Sequence, residues 1–147
     1  MSAKADLPTR ADFPVITPVT LRFSDQDPMG HINNVATIAL LESGRTGLLA
    51  KLFAGTDHPA KGMVLARLTV DYRAEIFFPG TVDVGAKLTG IGNTSMTSDF
   101  AIFQGDKCCV VSRSINVFVD PATHRPIPPT EKVGASLERL LVPSTGS

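Results

Sequence analysis

Residues 34–55, "NVATIALLESGRTGLLAKLFAG", carry one long helical pattern in a chain that otherwise alternates. Val35, Ile38, Glu42, Arg45, Leu49 and Leu52 recur at three- and four-residue steps, and Leu41 and Leu48 widen the apolar part of that stripe. The spacing predicts a helix of about five turns, with Asn33 or Asn34 as its N-cap and Gly55 at its end. Gly44 and Gly47 cost helix propensity, which is consistent with close contact between this helix and a sheet.

After a loop at residues 56–62 the period falls from 3.6 to 2. "MVLARLTVDYRAEIFF" sets Val64, Ala66, Leu68, Val70, Tyr72, Ala74, Ile76 and Phe78 against Arg67, Thr69, Asp71, Arg73 and Glu75. "VDVGAKLTGI", "TSMTSDFAIFQ" and "KCCVVSRSINVFVD" follow as further strands, separated by the turn signals "GN" and "GD". Upstream, "PVTLRFSD" predicts a first strand. Most of residues 1–17, with Pro8 and Pro14, read as a loose arm. Downstream, the Pro-rich tail from residue 120 leads to a short helix, opened by Thr130 or Glu131 and faced with Val133, Leu137, Leu140 and Leu141. One amphipathic helix and five strands bury every apolar face when a curved antiparallel sheet wraps the helix. The expected architecture is α+β in a single domain over residues 1–147, with a core at about 19–119 and the tail with its short helix at 120–142.

A chain of 147 residues with 43% hydrophobic and 19% charged residues has material for one well-buried core. Lys plus Arg and Asp plus Glu are 14 each. That balance argues against a nucleic-acid partner. No basic run suggests a membrane surface, and no stretch reaches the length of an apolar span. The first ten residues lack the apolar core of a signal peptide. Cys108 and Cys109 are adjacent, so on a strand they point to opposite faces. They read as reduced strand residues, consistent with a cytoplasmic protein. No metal-ligand spacing appears, and His31, His58 and His124 are too dispersed to propose a metal site.

Between the first strand and the helix lies the most polar loop of the chain, "DQDPMGHINN", with Asp25, Asp27, Gly30, His31, Ile32, Asn33 and Asn34. Followed by Glu42 and Arg45 on the helix, this loop resembles that of the hotdog-fold thioesterases of the 4-hydroxybenzoyl-CoA thioesterase type. "FVDPATHRPIPP" is also similar to the strand end and tail of that family, and the resemblance runs over about residues 19–142. It departs at Thr37, where many relatives carry an aromatic residue.

The resemblance implies a hotdog fold, with a five-stranded antiparallel sheet around the long helix. It also implies hydrolysis of acyl-CoA thioesters without a cofactor, coenzyme A being part of the substrate. The catalytic carboxylate, as general base or nucleophile, falls on Asp27 or, from across a dimer interface, on Glu42. Asp25 falls on a structural position. The start of a helix offers unpaired N–H groups and a favourable dipole to a developing oxyanion. The amides of residues 30–34, and so Gly30, His31, Ile32, Asn33 and Asn34, are therefore the expected oxyanion donors. Gly30, lacking a Cβ, would permit close backbone approach.

His31 reads either as a substrate-positioning donor or as a structural histidine, and Asn33 and Asn34 as caps or as positioning groups. Glu42 reads either as catalytic or as the partner of Arg45. The hydroxyl run "NTSMTS" suggests Thr94 and Ser95 as substrate contacts, with an ordinary exposed strand as the alternative. Arg67, Arg73 or Arg113 could meet the CoA phosphates. The expected partners are an acyl-CoA and further copies of the chain, as a dimer or a dimer of dimers. Alternatives are an acyl-ACP thioesterase, a hydratase-like hotdog enzyme, and a non-catalytic acyl-thioester-binding protein.

Overall fold

The computed structural model describes residues 7–58 and 62–142. The first six residues of the expected arm and residues 59–61 of the expected loop lie outside them. Five strands, β1 (Val15–Thr20), β2 (Met63–Tyr72), β3 (Thr81–Ile91), β4 (Ser95–Gln104) and β5 (Lys107–Phe118), form one antiparallel sheet in the order β1-β3-β4-β5-β2. Helix α1 (Asn34–Phe53) lies on one face, and α2 (Glu131–Leu140) closes one end. This is the α+β hotdog arrangement.

Asn33 is the N-cap of α1, its side-chain oxygen accepting the Ala36 amide at 2.7 Å. The helix turns a different face to the sheet from the one its hydrophobic spacing suggests. Ala36, Thr37, Leu40, Leu41, Gly44, Leu48 and Leu52 are buried, whereas Val35 is 80% exposed and the Glu42 side chain 48% exposed. Small residues explain the rotation. A Cβ on Gly44 would run into the Val84 side chain, so the helix seats where its backbone can approach β3. A stripe drawn through large apolar residues does not register that contact.

Three further expectations are corrected. The first strand lies earlier than the alternation at 18–25 suggests. Val15–Thr20 pairs with β3, and the chain then turns through a 3-10 helix at Phe23–Asp25. The arm from residue 7 is ordered, because Phe13 is buried edge-on to Phe103, 6.0 Å between ring centroids, on the sheet face away from α1. In β2 the period of two breaks at Ala66, a bulge against β5. Leu65 therefore shares a face with Leu68, and Val64 moves to the other side. The tail helix forms as expected from Thr130, whose hydroxyl accepts the Val133 amide, and it buries Val133 and Leu137.

Candidate active site

The loop between β1 and α1 is organised by its two aspartates, which do different work. Asp25 is buried. Its carboxylate accepts the Arg22 amide at 2.8 Å and the Arg22 guanidinium at 2.8 and 3.1 Å, while its carbonyl accepts the Asn33 amide at 2.9 Å. The hydrogen-bonded guanidinium holds the Asp25 carboxyl below the usual carboxylate range, against the opposing effect of burial. Asp25 thus fastens the loop to the start of α1.

Asp27 is half-buried, and its Oδ1 accepts the amides of Met29 at 2.9 Å and His31 at 3.1 Å. Oδ2 has no partner among the described residues. Gly30 takes φ +85°, and an added Cβ would meet nothing within 4 Å. The glycine thus supplies the left-handed backbone that the turn requires.

Asp27 borders a cavity of about 480 Å³. His31, Ile32, Asn33, Asn34 and Thr37 contribute from the loop and α1, Tyr72 to Ile76 from the end of β2 and beyond, and Val110 from β5. His31 Nδ1 lies 2.7 Å from Glu75 Oε1, and its ring stands edge-on to Phe77.

The expectation of five bare amides is corrected by the loop's own bonding. Gly30 N–H donates to the Asp27 carbonyl, His31 N–H to Asp27 Oδ1, Ile32 N–H to the Ile76 carbonyl at 2.8 Å, and Asn33 N–H to the Asp25 carbonyl. A turn this tight spends its donors on itself. The amide of Asn34, first in α1, finds no acceptor among the described residues, and Asn34 borders the cavity.

Other expected residues lie elsewhere in the protomer. Glu42 is on the exposed side of α1, bound bidentately by Arg45 at 2.9 and 2.7 Å. It borders a separate narrow groove with Ile38, Leu41, Leu65 and Leu68, so the buried stripe position inferred for it does not hold. Thr94 and Ser95 are at the β3–β4 turn. Ser95 pairs with Val117, seven residues along β5 from the cavity's Val110, or roughly 23 Å at strand rise. Within one protomer they do not meet Asp27.

Of the arginines, Arg73 borders the cavity. Arg113 is held by Asp99 at 2.7 and 3.0 Å. Arg67 and Arg113 border a hollow of about 320 Å³ beside Thr69, Thr97 and Ile115. Cys108 and Cys109 are buried free thiols, and burial pushes Cys108 up to about 11, unlike an activated nucleophile.

Sequence reasoning missed Glu75, which the period-two reading of residues 63–78 assigned to the solvent side of a strand. β2 ends at Tyr72, and the irregular segment after it brings Glu75 to His31. The polar run "DYRAE" just before a Pro-Gly turn was the available signal.

Comparison with known proteins supports the fold. The family model described as Thioesterase-like superfamily matches residues 21–137. A predicted thioesterase from Bacillus stearothermophilus superposes with a TM-score of 0.80 at 32% identity, covering 88% of this chain and 98% of that one. A thioesterase from Thermus thermophilus, solved in complex with coenzyme A and zinc, gives a TM-score of 0.70 at 26% identity, with 85% and 98% covered. The DHNA-CoA thioesterase of Staphylococcus aureus shares the fold at 19% identity, with a TM-score of 0.75 and 85% and 89% covered. With the family model spanning the polar loop, α1, strands β2 to β5 and most of the tail helix, this chain belongs to the thioesterase-like superfamily.

Proposed function

We propose that this protein hydrolyses an acyl-CoA thioester in the cavity beside Asp27. The observation that carries the proposal is one juxtaposition. Among the described residues, a carboxylate with one oxygen engaged and one available borders the same cavity as the unpaired first amide of α1. Thioester hydrolysis develops negative charge on the carbonyl oxygen. The Asn34 N–H, at the positive end of the α1 dipole, is the donor for that charge. The Asp27 Oδ2 atom acts on the carbonyl carbon, either by taking a proton from water or by direct attack to form an anhydride. The two routes differ in whether enzyme made heavier by the acyl group is present when a single turnover is quenched. Asn33 caps α1 and Gly30 shapes the loop, so both serve the site through its geometry.

The coenzyme A bound by the Thermus thermophilus relative supports a CoA substrate. Arg73 at the cavity margin is the nearest guanidinium for its phosphates. The substrate's own coenzyme A is the only cofactor chemistry the reading requires.

The same reading includes a homodimer. Val64 and Leu65, each 43% exposed, and Tyr72, 47% exposed, lie on β2, an outer strand of the sheet. An apolar open edge is a surface for association. Pairing of two β2 strands would cover it and bring the Glu42 groove of each copy to the subunit boundary.

The test is a panel of acyl-CoAs followed by free thiol release, with wild type, D27N and E42Q. Turnover is expected in wild type, with a loss of about 10²-fold or more in D27N and little change in E42Q. Turnover that survives D27N and vanishes in E42Q would move the chemistry to Glu42. Tight acyl-CoA binding without any thiol release would favour a binding protein.

A further inference from the structure

The His31–Glu75 contact has no part in the reaction as written above. His31 is fixed three ways: its amide donates to Asp27 Oδ1, its backbone bridges to Phe77, and its ring packs edge-on to Phe77 at 5.1 Å. The fourth restraint is Glu75 Oε1, 2.7 Å from Nδ1. The Glu75 side chain is 58% exposed, and a pairing at such a surface adds little stability. Its chemical effect is larger. An imidazole that donates Nδ1–H to a carboxylate keeps its lone pair on Nε2, and His31 borders the cavity that Asp27 and Asn34 share.

We propose that Glu75 is a positioning residue that orients His31 as the proton acceptor for the hydrolytic water, leaving Asp27 as the nucleophile. This inference rests on the acyl-CoA hydrolysis proposed above and divides its chemistry between two residues. The division follows from their types. A carboxylate is a weak proton acceptor near neutral pH, whereas imidazole titrates there. Asp27 Oδ2 forms a bond to the acyl carbon, the C–S bond breaks, and its electron pair leaves on the thiolate, which takes a proton from solvent. Water then attacks the acyl carbon of the anhydride and gives its proton to His31 Nε2. The C–O bond to Asp27 breaks with its electron pair returning to the carboxylate, and the imidazolium releases its proton to solvent.

The ionisable groups bordering the cavity around His31 are Asp27 on its own loop, Tyr72 at the end of β2, and Arg73 and Glu75 beyond it. The contributions of α1 and β5 to that cavity are not ionisable.

The experiment measures thiol release by rapid-mixing transients and steady-state rates for the full-length wild type, H31A, E75A and E75Q. H31A is expected to release about one equivalent of thiol in a burst and then turn over about 10²-fold more slowly, because water activation is lost after acyl transfer. E75A is expected to keep the burst and to lower kcat about tenfold at nearly constant KM, because the ring that accepts the water proton is no longer held. E75Q keeps an acceptor for Nδ1–H, so it should recover most of kcat. If wild type hydrolyses acyl-CoA but H31A gives no burst, or E75A leaves kcat unchanged, or E75Q fails to recover it, the assignment is overturned. If wild type releases no thiol, the hydrolysis reading falls and this inference with it.

Discussion

At the C-terminal end of α1, Leu52 is 1% exposed and packs with Leu88, Met96, Phe118 and, from α2, Val133 and Leu137. At the N-terminal end, Val35 is 80% exposed and a cavity of about 480 Å³ opens beside Asn34. Polar groups follow the same contrast. The Leu52 carbonyl accepts the Ser136 hydroxyl at 2.6 Å, and His58 stacks on Phe53 at 3.9 Å, while the Asn34 amide has no acceptor among the described residues. One helix thus has an end closed by a second helix and an end left open beside a cavity. Stability is concentrated at the first, and unspent hydrogen-bonding capacity at the second.

Substitutions can break this contrast, and the largest effects should separate the two ends most sharply. D27N should cost about 10²-fold or more in thiol release with little change in thermal unfolding, whereas L137A should cost about 2–4 kcal/mol of stability and leave kcat of the folded protein nearly unchanged. Denaturant titration and initial rates on the same samples check both. An L137A protein of full stability, or a D27N protein that unfolds, would erase the distinction.

Asp25 sharpens the comparison, since it lies at the open end yet works as scaffold. D25N should lose about 1–3 kcal/mol, because it breaks a buried, charge-assisted network. Its pH signature has a definite sign. Arg22 holds the folded carboxyl below its unfolded value. The stability it contributes is therefore complete above about pH 4 and is lost as pH falls through the folded value. Acid titration of unfolding should show a smaller loss of stability in D25N than in wild type.

At the closed end, S136A should cost about 1 kcal/mol, the worth of one buried hydrogen bond. Smallest is the expected reactivity of the thiols. Cys108, pushed up to about 11 by burial, should resist alkylation in the folded protein at neutral pH and react only as the chain unfolds.

The legible parts were those where local chemistry decides. Asn33 as cap, Thr130 as the start of α2, and the "GN" and "GD" turns between strands all follow from short-range hydrogen bonding and backbone preference. Asp25 and Asp27 stood out because carboxylates crowded into a loop before an apolar helix must either bind the backbone or do chemistry; both bind the backbone, and Asp27 also borders the cavity. The parts that failed depend on contacts distant in the chain. The inward face of α1 is set by Gly44 against Val84, a contact that hydrophobic spacing does not encode. The arm is ordered because Phe13 reaches Phe103, ninety residues away. Glu75 reaches His31 only because β2 ends at Tyr72 and the chain bends back. Thr94 and Ser95, drawn in by the hydroxyl run and the resemblance, lie within one protomer at the other end of the sheet from Asp27.

The most direct measurement is a structure of the protein bound to an acyl-CoA analogue whose sulfur is separated from the carbonyl by an inert methylene. The account predicts the analogue's carbonyl oxygen within hydrogen-bonding distance of the Asn34 N–H, with Asp27 Oδ2 facing the carbonyl carbon. An analogue seated in the hollow by Arg67 and Arg113, or one whose carbonyl lies away from both groups, would contradict it.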